Sequence, residues 1–348
     1  MRRTTVAGLA LIISVGLTLS ACSGSPSGSG SATPGKLAST VRIISGGSES
    51  FADAAINKAT ELLKAEGVTV DASLVDDPAT ALRAVVSGQA DVALLDPVEA
   101  IKAVANGDAP VKYIGSLSQT TDYVVVALPG VSLDNLDGKT FATAGAGTAG
   151  DVITSAALAE SNVDMSKVQK VTVGGTSARI TAILAGQVDL APVHAADAQP
   201  AIATGKVKQL LNAGTVLGTY LQQGLIASDS WLKDKATAQA VVSAFIDAER
   251  WASQNQDEYI AMAKANDLLG KLTDADAQSG WQALKDAKTF ATNGAICESA
   301  VKATLKHDYE VPDGGLTAAN TPAYTKWVDP SFVNAYLKAN KKDADGSC

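Results

Sequence analysis

Two glycine-rich turns could bring backbone N–H groups and hydroxyls against a small ligand. The first is Gly46-Gly47-Ser48-Glu49-Ser50, and the second is Ala144-Gly145-Ala146-Gly147-Thr148. Glycines let the backbone come close, and Ser48, Ser50 and Thr148 can donate hydrogen bonds. Neither turn fits a dinucleotide or Walker pattern, so a nucleotide site has no support. Asp96 and His194 add titratable groups, and Thr121, Asp122 and Tyr123 precede or begin a strongly apolar run. Ser177 stands at the start of a helical pattern, where it can equally serve as a cap. The same plainer use is open to Asp96 and to the turn hydroxyls. No Ser/His/Asp grouping has the spacing of a triad. With two histidines and three cysteines, no metal-ligand spacing occurs either. The expected chemistry is binding, with no catalytic residue, cofactor or metal.

The elements that would position these residues come in two copies. Ser-Gly-Gln-Ala-Asp-Val-Ala-Leu (87–94) returns as Ala-Gly-Gln-Val-Asp-Leu-Ala-Pro (185–192), an offset of 98 residues. At that offset Asp96 falls on His194, and the turn after Arg42 falls on the turn after Thr140. A period this long describes two lobes and not a solenoid, whose repeats run about 20–50 residues. In each copy, β-branched runs alternate with helical patterns, which predicts a parallel sheet per lobe. The repeated Gly-Gln-x-Asp reads as a helix stop, a turn and the start of a buried strand. Asp91 and Asp189 are therefore expected to fix that turn. Two further strand signals, near 121–130 and 221–228, imply that the chain crosses to a second lobe and returns. From Ser230 to about Leu269 the pattern is helical, with Trp231, Ala238, Val241, Val242, Phe245 and Ala248 on one face. These helices are expected to complete the first lobe and brace the hinge.

The chain has 348 residues, enough for two cores, with 46% hydrophobic and 18% charged residues. Its net charge of −8 and its lack of any Lys/Arg block exclude a nucleic-acid partner. Met-Arg-Arg followed by a short apolar run reads as an export signal. It ends in Leu19-Ser20-Ala21-Cys22, which resembles the bacterial lipobox. On that resemblance residues 1–21 are removed and Cys22 carries lipids. The Ser/Gly/Pro-rich stretch within 22–40 is a tether with too little apolar surface to fold. Cys297 and Cys348 can pair in an oxidising compartment, closing a loop of roughly 50 residues worth about 4 kcal/mol; two free thiols are the alternative.

Leu133 to Gly175, followed by Ala-Ile-Leu-Ala-Gly-Gln-Val-Asp-Leu-Ala-Pro-Val (182–193), is similar to the solute-binding proteins of ABC importers. The group it resembles handles nitrate, taurine, other sulfonates and the thiamine-pyrimidine precursor. Ser228 to Asn255 and Trp327 to Leu337 fit the C-terminal half of that family. The resemblance implies an α/β, two-lobed, type II periplasmic-binding-protein fold with two parallel-core sheets joined by two crossover strands. Lobe one is expected to comprise 41–121 plus 225–348 with the C-terminal helices, and lobe two 122–224. Ligand contacts are expected from Gly47, Ser48, Glu49, Ser50, Asp96, Thr121, Asp122, Tyr123, Gly147, Thr148, Ser177 and His194.

The function this implies is a monomeric, lipid-anchored receptor on the outer face of the cell membrane. It would deliver a small solute to an ABC permease and its ATPase. Two other classes stay open: an enzyme of the pyrimidine-precursor synthase type, whose cysteine-rich motif is absent here, and a lipoprotein sensor. Neither glycine turn carries Lys or Arg, and Arg179 sits inside a helix. Glu49, Asp96 and Asp122 favour a neutral or cationic nitrogen-containing solute.

Overall fold

The computed structural model describes residues 35–47, 49–309 and 316–340. Ser48, Cys348 and residues 1–34, with Cys22, the expected export signal and most of the expected tether, lie outside them.

The first half folds as β1 (Thr40–Gly46), α1 (Ala54–Ala65), β2 (Thr69–Val75), α2 (Pro78–Val86), β3 (Val92–Leu95), α3 (Pro97–Gly107) and β4 (Val111–Ser116). The apolar Val-Ala-Leu-Leu of β3 is buried at every position, as expected of a central strand covered on both faces. β2 lies at the edge and is largely exposed, and its Thr, Asp and Ser discourage pairing with another chain. Helices α2 and α3 each begin with an Asp-Pro pair. The Asp side chain accepts an N–H of the first turn and the proline takes a position whose N–H would be unpaired anyway.

The chain then crosses into β5 (Tyr123–Ala127), β6 (Thr140–Thr143), α4 (Ala149–Glu160), β7 (Gln169–Thr172), α5 (Thr176–Leu184), β8 (Leu190–His194), α6 (Ala195–Ala203), β9 (Lys208–Asn212) and α7 (Ala213–Leu217). It returns as β10 (Gly224–Ser228). Among the described residues there are two five-stranded sheets, with orders β2-β1-β3-β10-β4 and β7-β6-β8-β5-β9. The two orders are the same once each crossover strand is placed fourth. The alternating pattern predicts parallel sheets, and the β2-β1-β3 and β7-β6-β8 cores are parallel. The crossover strands β10 and β5 run antiparallel to both neighbours. Each enters its sheet from the other lobe and therefore points the opposite way. A register shift interrupts both at the same step, Leu225/Ile226 and Val125/Val126.

The repeated aspartates close equivalent joints. Asp91 accepts the backbone N–H of Arg42 at 2.8 Å, and Asp189 accepts that of Thr140 at 2.8 Å, both pairs 49 residues apart. Each aspartate N–H is returned to the carbonyl of the same partner. The joint thus ties the entry to β3 or β8 to the first strand of its sheet.

After β10 come α8 (Lys235–Gln254), α9 (Gln256–Ala265), α10 (Asp274–Asp286), α11 (Glu298–Tyr309), α12 (Tyr324–Trp327) and α13 (Ser331–Asn340). Val241, Val242, Phe245 and Ala248 are buried in the core around sheet one. Trp231 lies in a separate short turn before α8 and is half-buried. These helices do not serve one lobe alone. α10 rests on α6 so closely that a Cβ at Gly280 would lie 2.8 Å from that of Ala196. Phe51, Tyr259, Trp281 and Phe290 join Ala196 in one apolar cluster spanning the two halves, and Lys306 of α11 reaches Glu160 of α4 at 3.0 Å.

Candidate functional site

A cavity of about 460 Å³ opens at the carboxyl ends of the strands, lined by both halves of the repeat. Its floor is the pair of crossover segments. Ser118 Oγ accepts the N–H groups of Gln222 (2.8 Å) and Gln223 (3.1 Å), and Thr121 Oγ1 donates to Gln222 Oε1 at 2.7 Å. A third segment lies beside them, since the Gln119 N–H reaches the Thr289 carbonyl.

The two glycine turns stand on opposite walls. Gly47 has φ +108° and Gly147 φ +74°, conformations that side chains with a Cβ rarely adopt. In lobe one, Ser50 and Asp53 form a reciprocal capping box: Ser50 Oγ accepts the Ala52 N–H, and the Asp53 carboxylate accepts the Ser50 N–H at 2.7 Å. In lobe two, Thr148 starts α4 without a side-chain cap bond and donates to the Gly145 carbonyl at 2.8 Å. The Asp151 carboxylate accepts the Gly147 N–H at 3.1 Å.

His194 ends β8 with its Nδ1 at 2.9 Å from Asp122 Oδ2 and its ring stacked on Tyr123 at 4.5 Å. Burial opposes the imidazolium, but the Asp122 charge and hydrogen bond prevail and push His194 up to about 9. Burial likewise opposes the Asp122 carboxylate, yet His194 and Gln222 hold it below the usual range. Other carboxyls in the cavity move the other way. Burial raises Asp53 to about 6 against the bonds from Ser50. Burial also raises Asp308 to about 6 despite the bond from Tyr220, whose hydroxyl donates at 2.5 Å. Asp96 and Glu249 are pushed well up by burial, aided by Asp308 and Asp53 respectively.

Of the residues singled out in the sequence, Gly47, Ser50, Asp96, Asp122, Tyr123, Gly147, Thr148 and His194 line the cavity. Glu49 and Ser177 are exposed, and Thr121 is fully buried with its hydroxyl committed to Gln222; none of the three is among the lining residues. Arg179 donates to the carbonyls of Pro192 and Gly174 and to Thr176, and it too lies off the cavity wall. Phe51 is core, edge-on to Tyr259. Further lining residues come from elements the repeat does not contain: Glu249 on α8, Thr289 and Phe290, and Asp308 on α11. Glu249 had a readable signal, because it lies on the buried stripe of α8 with Val242, Phe245 and Ala252. Asp53 was readable as the partner in a Ser-x-x-Asp capping box.

The NMT1/THI5-like family model matches residues 51–259. No curated protein matches the sequence. The periplasmic nitrate-binding protein NrtA from Synechocystis PCC 6803 superposes with a TM-score of 0.69 at 14% identity, over 88% of this chain and 90% of that one. The periplasmic aliphatic sulphonate-binding protein SsuA from Escherichia coli gives 0.66 at 17% identity, over 84% and 93%. The desulfurization enzyme DSZB gives 0.62 at 12% identity, over 87% and 100%. At these identities the likeness establishes the fold, an α/β two-lobed architecture of the periplasmic-binding-protein type.

Proposed function

The chain belongs to the NMT1/THI5-like family, and from that premise we propose that it is an extracytoplasmic, lipid-anchored solute-binding protein. It hands a small organic solute to an ABC import permease and its ATPase. The observation that carries this reading is the cavity lined by loops of both sheets, with the crossover segments as its floor. A solute touching both glycine turns favours the closed arrangement of the lobes, so binding is a population shift with no bond made or broken. Ligand-binding ABC import components among the structural neighbours support the role. The lipobox at Cys22 supports the anchor, and no helix among the described residues is long and apolar enough to cross a membrane.

The enzyme reading has one neighbour in its favour, DSZB. In the cavity His194 is committed to Asp122 through Nδ1 at 2.9 Å, and the nucleophile that an enzyme reading needs is named by no residue pattern in the chain.

The test is mass spectrometry of solute released by denaturing freshly purified protein, with the same solute raising the melting temperature when added back. At about 1,000 times its dissociation constant it should add roughly 4 kcal/mol of stability. Turnover of that solute by pure protein would replace this reading with the enzyme. Cys22→Ala should free the protein from membranes or leave an unprocessed precursor; unchanged attachment with normal processing would remove the anchor from the proposal.

A further inference from the structure

The cavity is acidic, and its cations match only part of its charge. Its carboxylates are Asp53, Asp77, Asp96, Glu99, Asp122, Glu249 and Asp308, facing Lys102 and His194. His194 pairs with Asp122 at 2.9 Å and also acts on Asp53. Asp77 pairs with Arg83 at 3.3 Å. Lys102 acts on Glu99, Asp96 and Asp308 together, and Asp308 also accepts the Tyr220 hydroxyl. Glu249 is left with no cation acting on it, and Asp53 shares His194 with Asp122. Neither has a Lys, Arg or His ion-pair partner among the described residues; Asp53 is bonded to Ser50, and Glu249 receives the N–H of Ala291. Glu249 is 4% exposed, and the Asp53 charge acts against it. Two carboxylates so placed cost several kcal/mol when ionised without a counter-charge.

A second observation falls in the same corner. Thr289 is 8% exposed, lines the cavity, and its Oγ1 has no hydrogen-bond partner among the described residues. A buried hydroxyl left unpaired is costly, and one on a cavity wall is satisfied by what enters the cavity. Phe290 follows it in the chain, and Leu284 and Ile56 add apolar wall. The corner therefore combines two mutually coupled carboxyl groups, an unused hydroxyl and apolar surface.

Resting on the solute-binding reading above, the geometry points to an organic cation, an ammonium or amidinium on a compact, partly apolar body, as the solute. Its charged nitrogen sits between the Asp53 and Glu249 carboxylates, donates to Thr289 Oγ1, and presents its apolar part to Phe290. A cation held there favours the ionised form of both carboxyls, which burial otherwise opposes. An oxyanion placed there would meet both carboxylates, and Arg179 is turned to backbone carbonyls off the cavity wall.

The experiment uses the full chain in detergent, with thermal shift and calorimetry. Benzamidine, agmatine and benzylamine are compared with nitrate, methanesulfonate and benzenesulfonate. The cations are expected to raise the melting temperature and the anions to leave it unchanged. Glu249→Gln should weaken the bound cation on the order of thirtyfold or more without lowering the melting temperature of the empty protein, because it removes a buried charge. Asp53→Asn keeps a cap oxygen for Ser50 and should weaken the cation similarly. Cation binding that is unchanged in both variants overturns the assignment of these two carboxylates. Stabilisation by the anions and not by the cations overturns the cation inference while leaving solute binding intact. No shift with any of the six also overturns the cation inference; solute binding is then judged separately, by the mass of the released solute.

Discussion

Asp96 and His194 occupy the same place in the two lobes, the last residue of a strand's run before the next helix on the cavity side, yet one is an acid and the other a base. Asp91 and Asp189, a few residues earlier, also correspond, and there both lobes keep the acid. The difference follows from what each pair touches. Asp91 and Asp189 close a joint within their own sheet by bonding the first strand's backbone. That joint is needed wherever this topology is built. Asp96 and His194 face the cavity, and most of the groups acting on them come from outside the repeat: Asp308 for Asp96, beside Lys102 of α3, and Asp122 and Tyr123 for His194. A duplicated scaffold can thus be held in common while its two walls acquire opposite charge.

The largest expected effect separates the two cavity positions. His194→Ala strands Asp122, which is 4% exposed, without a counter-charge. Breaking a buried pair in this way costs about 3–5 kcal/mol, read as a fall in melting temperature of roughly 5–10 °C. The pH profile gives the same test a sign. His194 is raised from 6.5 to about 9, so its contribution is complete below the unfolded value and is lost as pH climbs through 9. Asp122 is lowered, so its share is present above the ordinary carboxylate range and disappears only as pH falls through its depressed value. The parent should lose stability between neutral pH and about pH 9, and His194→Ala should not show that loss. Matching profiles would break the comparison.

Next come the joints. Asp189 accepts both the N–H and the hydroxyl of Thr140 at 2.8 Å, and Asp91 binds the Arg42 N–H and its guanidinium, the latter at 2.6 Å. Asp189→Ala and Asp91→Ala should each cost about 1–3 kcal/mol in denaturant unfolding, with solute affinity unchanged. A tenfold change in affinity from either would show that the joints also serve the cavity, and the division drawn here would fail.

The smallest effect is expected at Asp96. Asparagine caps a helix as well as aspartate does, and Asp96→Asn removes repulsion from Asp308. Stability should stay within about 0.5 kcal/mol of the parent or rise. A loss above about 2 kcal/mol, which a neutral cap swap cannot produce, would mean that lobe one relies on this charge as lobe two relies on His194.

Much of this architecture is set by local pattern. The offset of 98 residues, the apolar strands, the Asp-Pro helix starts and the glycine turns act within a few residues of one another, so the chain determined two like lobes, their crossovers and most of the repeat's own cavity wall. The antiparallel entry of β5 and β10 was not visible, because strand direction depends on where the previous element ends in space. Nor did the sequence decide which polar residue of a helix meets the solute. Glu249 and Asp308 lie about 100 to 260 residues from the two glycine turns, and helical periodicity reports only that a side is buried, not what it is buried against. Thr289 has no pattern of its own; its unpaired hydroxyl arises because α10 rests on lobe two and carries the following segment past the crossovers. Only tertiary packing brought the Asp53 charge to bear on Glu249, since charge balance in a cavity is a sum over elements that no single stretch of chain contains.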